Sequence, residues 1–227
     1  MDVFNIIKII TAIITVVIAF IVGFRVLALN PRELLNIWFT LFFISSSTGF
    51  LLYTIYHLIL NNSQIIIPIM VTAHIFFNFI FISLVMTVFV LEKYKKIAMS
   101  LKYFGSMVVL FFIMSFGYFI WIPELNMARY AKGIVDTDTP TEWHIFITIV
   151  RILIAIYVVY KYALMTRKIE EETKKRVQWF FLGIIFAIIG LFINLIGGFF
   201  RSIIIEIFAL IVIDLGTVAL LKGFLIK

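Results

Sequence analysis

The sequence predicts an all-α polytopic membrane protein: one domain, residues 1–227, of seven transmembrane helices, N-terminus outside and C-terminus cytoplasmic. Three observations carry that expectation. The 227 residues are 64% hydrophobic and only 14% charged, against roughly half and about a quarter in soluble domains. Mean hydropathy is +1.17, more apolar surface than one core of this size hides. Lys and Arg then fall overwhelmingly on alternate connections between the apolar runs, which sets the orientation.

Crossing the hydrocarbon core takes about 20 mostly apolar residues. Seven stretches qualify, at about 4–29, 34–60, 65–92, 98–122, 143–167, 174–198 and 202–225. They lack the alternation of barrel strands and are far longer. The first is too long for a signal-peptide core, has no clear small-residue cleavage site, and carries Arg25 and Arg32 after it rather than before it. It reads as a retained span. Asn30-Pro31-Arg32-Glu33 separates spans one and two, with Pro31 pre-set for a helix start. Asn61-Asn62-Ser63-Gln64 forms the next turn, and Gly197-Gly198 is expected to relax the chain before Arg201.

With the N-terminus outside, the inner side holds Arg25, Arg32, Lys93, Lys95, Lys96, Lys102, Lys161, Arg167, Lys168, Lys174, Lys175, Arg176, Lys222 and Lys227. The outer side holds Lys8, Arg129, Lys132 and Arg201, with Arg151 inside a span. Fourteen against four settles the expected orientation. The net charge of +7 therefore describes a cytoplasmic face beside anionic lipid and argues for no nucleic-acid partner.

Two connections are long. The outer one, Pro123 to Glu142, carries Glu124, Asp136, Asp138, Glu142, Arg129 and Lys132 between Trp121 and Trp143, which sit where an interfacial aromatic belt would place them. It reads as a solvated loop, or as a lid over an outward-facing pocket with Asp136 and Asp138 as a weak cation site. The cytoplasmic one pairs Glu170 with Lys174, Glu171 with Lys175 and Glu172 with Arg176 at i,i+4 in the favourable acid-first order. The sixth helix is therefore expected to start before the lipid. Lys174, Lys175 and Arg176 form either a solvated helix end or a partner-docking lever.

Cysteine is absent, which removes thiol catalysis and thiolate metal sites. The sequence has no phosphate-binding loop, no dinucleotide fingerprint, no zinc-helix motif and no nucleophile elbow. His57, His74 and His144 lie on different spans or their edges and would converge only through tertiary folding, so no metal site and no cofactor are expected. The chain is not read as an enzyme. Retinal attachment in the manner of microbial rhodopsins is excluded, because the last span has lysines only at its cytoplasmic end, Lys222 and Lys227. Glu92-Lys93-Tyr94 is an ordinary basic helix end, since the Trp-x-Pro and Asn-Pro-x-x-Tyr elements of rhodopsin-like receptors are missing from spans six and seven.

Asn36 and Trp38 opening span two, the charged link Arg167 to Arg176 entering Gln178-Trp179-Phe180-Phe181-Leu182-Gly183, and the gap of about 20 residues before span five form a pattern. In these the chain resembles the seven-helix membrane input region of prokaryotic sensor kinases. The resemblance implies a sensory input module in the cell membrane that works with a separate cytoplasmic partner.

Charges at mid-bilayer cost at least about 2.5 kcal/mol each and face the bundle interior. By depth, Arg151 in span five is expected to pair with Glu206 in span seven. Asp214, deeper and with no basic residue at its level, is the expected proton-carrying group. His74 and Asn78 share a face of span three, and Asn194 adds a polar group in the outer half of span six. Two readings stand for these six residues: helix–helix glue, or an outward-facing ligand or proton site. Ser45-Ser46-Ser47-Thr48-Gly49 reads as a packing surface.

The leading expectation is a receptor-like or sensory module coupling an outward-facing site to a cytoplasmic partner. The alternatives are a small transporter or channel using Asp214 and Arg151, or an accessory subunit of a larger membrane complex. Transporters favour internal repeats and broken helices; no repeat is present, and only Pro68 lies within a span, near its outer end.

Overall fold

The computed structural model describes residues 3–93, 95–167, 171–200 and 202–225, with the side chains of all of these except residues 4, 5, 171–174, 176 and 224. Seven helices are long and apolar enough to cross a membrane, and the chain is a multi-pass membrane protein. They are α1 (Val3–Leu29), α2 (Leu34–Leu58), α3 (Ile66–Glu92), a fourth span built from α4 (Lys95–Ala98), a π turn (Leu101–Gly105) and α5 (Ser106–Ile120), then α7 (Thr141–Thr166), α8 (Glu171–Phe199) and α9 (Ile203–Leu225). The long connection holds β1 (Glu124–Leu125), the single turn α6 (Met127–Tyr130) and β2 (Thr137–Asp138). The end where α1, α3, α7 and α9 begin is termed the N-terminal face, and the opposite end the C-terminal face.

The helices close into a ring. α2 packs between α1 and α3, α7 lies between α3 and α8, and α9 joins α8 to α1. α5 lies against α3 and α7 and belongs to the least buried of the spans. Every residue of α3 from Ile80 to Val88 is buried, so this helix is the axis of the C-terminal half. Phe39, Phe43, Leu84, Val88, Val158, Tyr162 and Ile184 belong to one continuous apolar core there. The buried Thr87 hydroxyl meets the Tyr162 hydroxyl at 2.8 Å, and Lys161 pairs with Glu92 at 2.7 Å.

The tightest pair is the α8–α9 hairpin, and glycine explains it. Gly183, Gly190 and Gly197 recur every seven residues on the face of α8 toward α9. A Cβ on Gly190 would lie 2.5 Å from Ile213 Cγ1 and 2.9 Å from the Ala209 carbonyl oxygen; one on Gly183 would lie 2.6 Å from the Leu220 nitrogen. Small residues let two backbones approach this closely in a membrane. Gly197-Gly198 therefore does not relax the chain, as expected above. α8 runs through both to Phe199, and a Cβ on Gly197 would lie 2.8 Å from Glu206 Cγ.

The Ser45–Gly49 surface packs on two neighbours. Ser47 donates to the Val16 carbonyl at 3.0 Å, just as Thr40 donates to that of Gly23 at 3.2 Å, while a Cβ on Gly49 would strike the Phe77 ring at 2.6 Å. Of the expected belt, Trp121 is exposed but Trp143 is 4% exposed, stacked on Trp121 and clamped between Gly117 and Tyr118. Glycine at 117 opens the slot that draws this indole inward. α8 begins at Glu171, before the apolar window that starts at Val177. Lys175 is exposed; the side chains of Lys174 and Arg176, and the three expected i,i+4 pairs, lie outside the described residues.

Candidate functional site

The connection between α5 and α7 is folded over the N-terminal face. β1 and β2 pair antiparallel, Glu124 opposite Asp138 and Leu125 opposite Thr137. The Asn126 side chain accepts from the Arg129 N–H at 3.2 Å and caps α6. Gly133, at φ +75°, turns the chain back, a conformation that costs residues with a Cβ. Val135 anchors the cover by burying itself with Tyr56, Ile66 and Met70. Arg129 and Asp136 pair at 3.1 Å. Asp136 is thus already engaged by a cation, and no cluster of three or more His, Asp or Glu with metal-holding geometry occurs among the described residues.

Beneath this cover lies a cavity of about 460 Å³. Lys8 of α1, Tyr53 and His57 of α2, His74 of α3, His144 of α7, Asn194 of α8 and Glu206 of α9 line it, roofed by Arg129, Lys132 and Val135 to Thr137. The three histidines, placed apart by the sequence, face one cavity. A smaller pocket of about 100 Å³ shares its Tyr53, Tyr56, His74, Asn194 and Leu195 walls, is flanked by Phe50, Phe77 and Phe81, and reaches Arg151. A further pocket of about 10 Å³ lies beside Arg151 between α7 and α8, against Phe81, Ile188 and Phe192, and the buried stretch Ile80 to Val88 of α3 lies toward the C-terminal face.

The expected Arg151–Glu206 pair does not form. Glu206 pairs with Lys8 and accepts from the Tyr53 hydroxyl at 3.3 Å. At 1.5 Å per residue, Lys8 lies about 8 Å past the start of α1, Glu206 about 5 Å past that of α9, and Arg151 about 15 Å past that of α7. Lys8 thus matches Glu206 in depth, and α1 touches α9 directly, whereas α8 intervenes between α7 and α9. His57 Nδ1 lies 2.8 Å from the Tyr53 carbonyl oxygen, which only accepts. Its proton therefore sits on Nδ1, and Nε2 faces the Lys8 ammonium at 3.5 Å. Lys8 also lies 4.9 Å from the centre of the Tyr53 ring.

Arg151 is 7% exposed. Its Nε and Nη2 donate to Asn78 Oδ1 at 3.1 and 2.6 Å. Asn78 Nδ2 donates in turn to the Met114 carbonyl of α5 at 2.8 Å, which fixes the amide's orientation. Among the described residues no carboxylate pairs with this guanidinium. His74 stacks on Tyr118 at 5.0 Å, and its Nδ1 is buried without a partner among the described residues.

No family model, curated protein or solved structure matches this chain.

His74, Asn194, Glu206 and Arg151 thus border the two connected cavities, with Asn78 holding Arg151 in place. Asp214 does not line them. It is half-buried on α9, beside Thr15 of α1, with its Oδ1 unpartnered among the described residues. Sequence reasoning had counted Lys8 only toward orientation and had not singled out Tyr53. The available signal was depth: Lys8 and Glu206 each lie close to the start of an apolar run that begins on the same face.

Proposed function

We propose that this chain is a sensory or receptor-like module of the cell membrane. Its N-terminal face is outward, its C-terminal face is cytoplasmic, and it couples a ligand in the covered cavity to a cytoplasmic partner. The observation that carries this reading is the shape of the cavity. Among the described residues it is polar and lidded at one end and narrows at the other toward Arg151, with the buried stretch Ile80 to Val88 of α3 beyond. A conducting pore needs a route past that floor. A receptor needs only that occupancy shift the helices.

The ring gives occupancy something to move. The cavity is bordered by α1, α2, α3, α7, α8 and α9 at once, and the close-packed α8–α9 hairpin is suited to moving as one body. The basic C-terminal face, with Lys174, Lys175 and Arg176 leading into α8, supplies the docking surface. The transporter alternative used Asp214 together with Arg151. Asp214 lines neither cavity, which favours the receptor reading.

The test is genetic. The response lost on deleting the gene is measured in cells carrying Lys174→Glu, Lys175→Glu and Arg176→Glu together, with membrane insertion checked separately. The receptor reading expects an inserted protein that behaves as the deletion does. Full complementation by the inserted triple variant would remove the docking role.

A further inference from the structure

We infer that the ligand of this cavity is a small organic monoanion, its acidic group seated on Arg151 and its apolar body among the aromatic rings that line the same pocket. The inference rests on the receptor reading and names the chemistry of its site.

Charge matching comes first. Lys8 is matched by Glu206 and Arg129 by Asp136, which leaves Arg151 as the deeply buried charge without a counter-ion among the described residues. A guanidinium has five N–H donors. Asn78 Oδ1 takes two and the Tyr118 hydroxyl stands beside it, so at least two donors remain for a ligand. Asn78 accepts these bonds as a neutral amide and contributes no opposite charge. An isolated cation at this depth is costly, and an acid arriving from the cavity supplies what the protein lacks.

The second observation is independent of charge. His74 Nδ1 is buried and unpartnered among the described residues, and His74 borders both cavities. Buried polar atoms are nearly always satisfied, by protein, water or ligand, so an orphan on a cavity wall marks a place where a ligand oxygen can bond in place of water. An oxygen of the same acid, bonded to Arg151, is an acceptor for a proton on that nitrogen.

Size and wall chemistry select the body. The inner pocket of about 100 Å³ is worth about three water molecules of liquid volume, enough for an acidic head and the first atoms of its stem. Phe50, Tyr53, Phe77 and Phe81 line this same pocket; they offer little to replace the hydration of an inorganic ion and suit a short chain or a single ring.

The experiment uses the full chain in phosphatidylcholine nanodiscs. Probes are a monocarboxylate series from acetate to octanoate with benzoate, the neutral isostere benzamide, and inorganic phosphate. Binding is read by radiolabel and by the rise in unfolding temperature. A member of the carboxylate series binds; benzamide and phosphate do not. Arg151→Met loses that binding. Because this variant also removes the partner of Asn78, Asn78→Asp serves as the second: it places a carboxylate against the guanidinium from within. It trades the Nδ2 donation to the Met114 carbonyl for an ion pair with Arg151, and, once its fold is confirmed by circular dichroism, it binds the carboxylate about tenfold to a hundredfold more weakly, the value of one charge-assisted contact. Equal binding by the parent and Asn78→Asp overturns the inference, as does benzamide bound as tightly as benzoate, or failure of the whole carboxylate series. Protection of Asn194→Cys from a thiol reagent separates the two levels. If benzamide protects and no acid does, the anion is wrong and the cavity stands. If no probe protects, the receptor reading falls with it.

Discussion

Replacing Lys8 with Met, Glu206 with Gln, and then both, tests the ion pair that the structure puts in place of the one expected from depth alone. The side chains are 8% and 14% exposed, so water from the cavity relieves each charge only in part. Lys8→Met leaves Glu206 with only the Tyr53 hydroxyl at 3.3 Å, and breaking a buried pair from one side costs about 3–5 kcal/mol. Glu206→Gln leaves the ammonium over the Tyr53 ring and against His57 Nε2. A desolvated cation–π contact is worth about 2 kcal/mol, so this variant is the milder of the two. The double variant contains no stranded charge and recovers most of the loss, giving a coupling energy of about 2–4 kcal/mol. The assay is reversible unfolding in mixed micelles by denaturing-detergent titration, followed by circular dichroism. Additivity of the two changes within about 0.5 kcal/mol would refute the pairing. The companion cycle of Arg151→Met with Glu206→Gln is expected to be additive within that margin, since these two groups make no ion pair and share no described hydrogen-bond partner.

Three further outcomes follow from the contacts between helices. Gly190→Ala puts a methyl group 2.5 Å from Ile213 Cγ1 and against the backbone of α9, so the same unfolding assay should show a loss of about 1–3 kcal/mol. Gly198→Ala, where nothing lies within 4 Å, is expected to be neutral or to gain about 0.5–1 kcal/mol from helix propensity. Thr87→Val keeps the volume but removes the partner of the Tyr162 hydroxyl at 2.8 Å. A loss of about 1–3 kcal/mol, with amide exchange quickening in α3 and α7 together, marks that bond as a tie between them.

Hydropathy and punctuation point to seven apolar helices because each span is a local property: an apolar run long enough to cross, closed by polar turns. Which side chains meet depends instead on the order of helices around the ring, which no single run encodes. Counted from residues 143 and 202, Arg151 and Glu206 differ in depth by about 6 Å. α7 starts at Thr141 and α9 at Ile203, which widens their offset, and α8 separates their helices. His57, His74 and His144 come together because α2, α3 and α7 each present one face to the same cavity, a consequence of closure rather than of spacing. The glycine heptad Gly183, Gly190, Gly197 was readable in the chain as a close-packing stripe, and only the pair Gly197-Gly198 drew notice, as a break. The folded cover from Glu124 to Asp138 was readable in part: Asn126 before a helical turn and a lone Gly133 are turn signals, whereas the burial of Val135 depends on where α2 and α3 end.

The central claim is a cavity open to the outside and closed to the cytoplasm. Asn194→Cys in this cysteine-free chain tests it most directly, because Asn194 borders both the covered cavity and the inner pocket. A membrane-impermeant thiol reagent is applied to intact cells and, separately, to inside-out vesicles. The cysteine is predicted to react in intact cells and to stay unmodified in the vesicles. Reaction from the cytoplasmic side, or from both sides, would contradict a blind outward-facing site and with it the receptor reading.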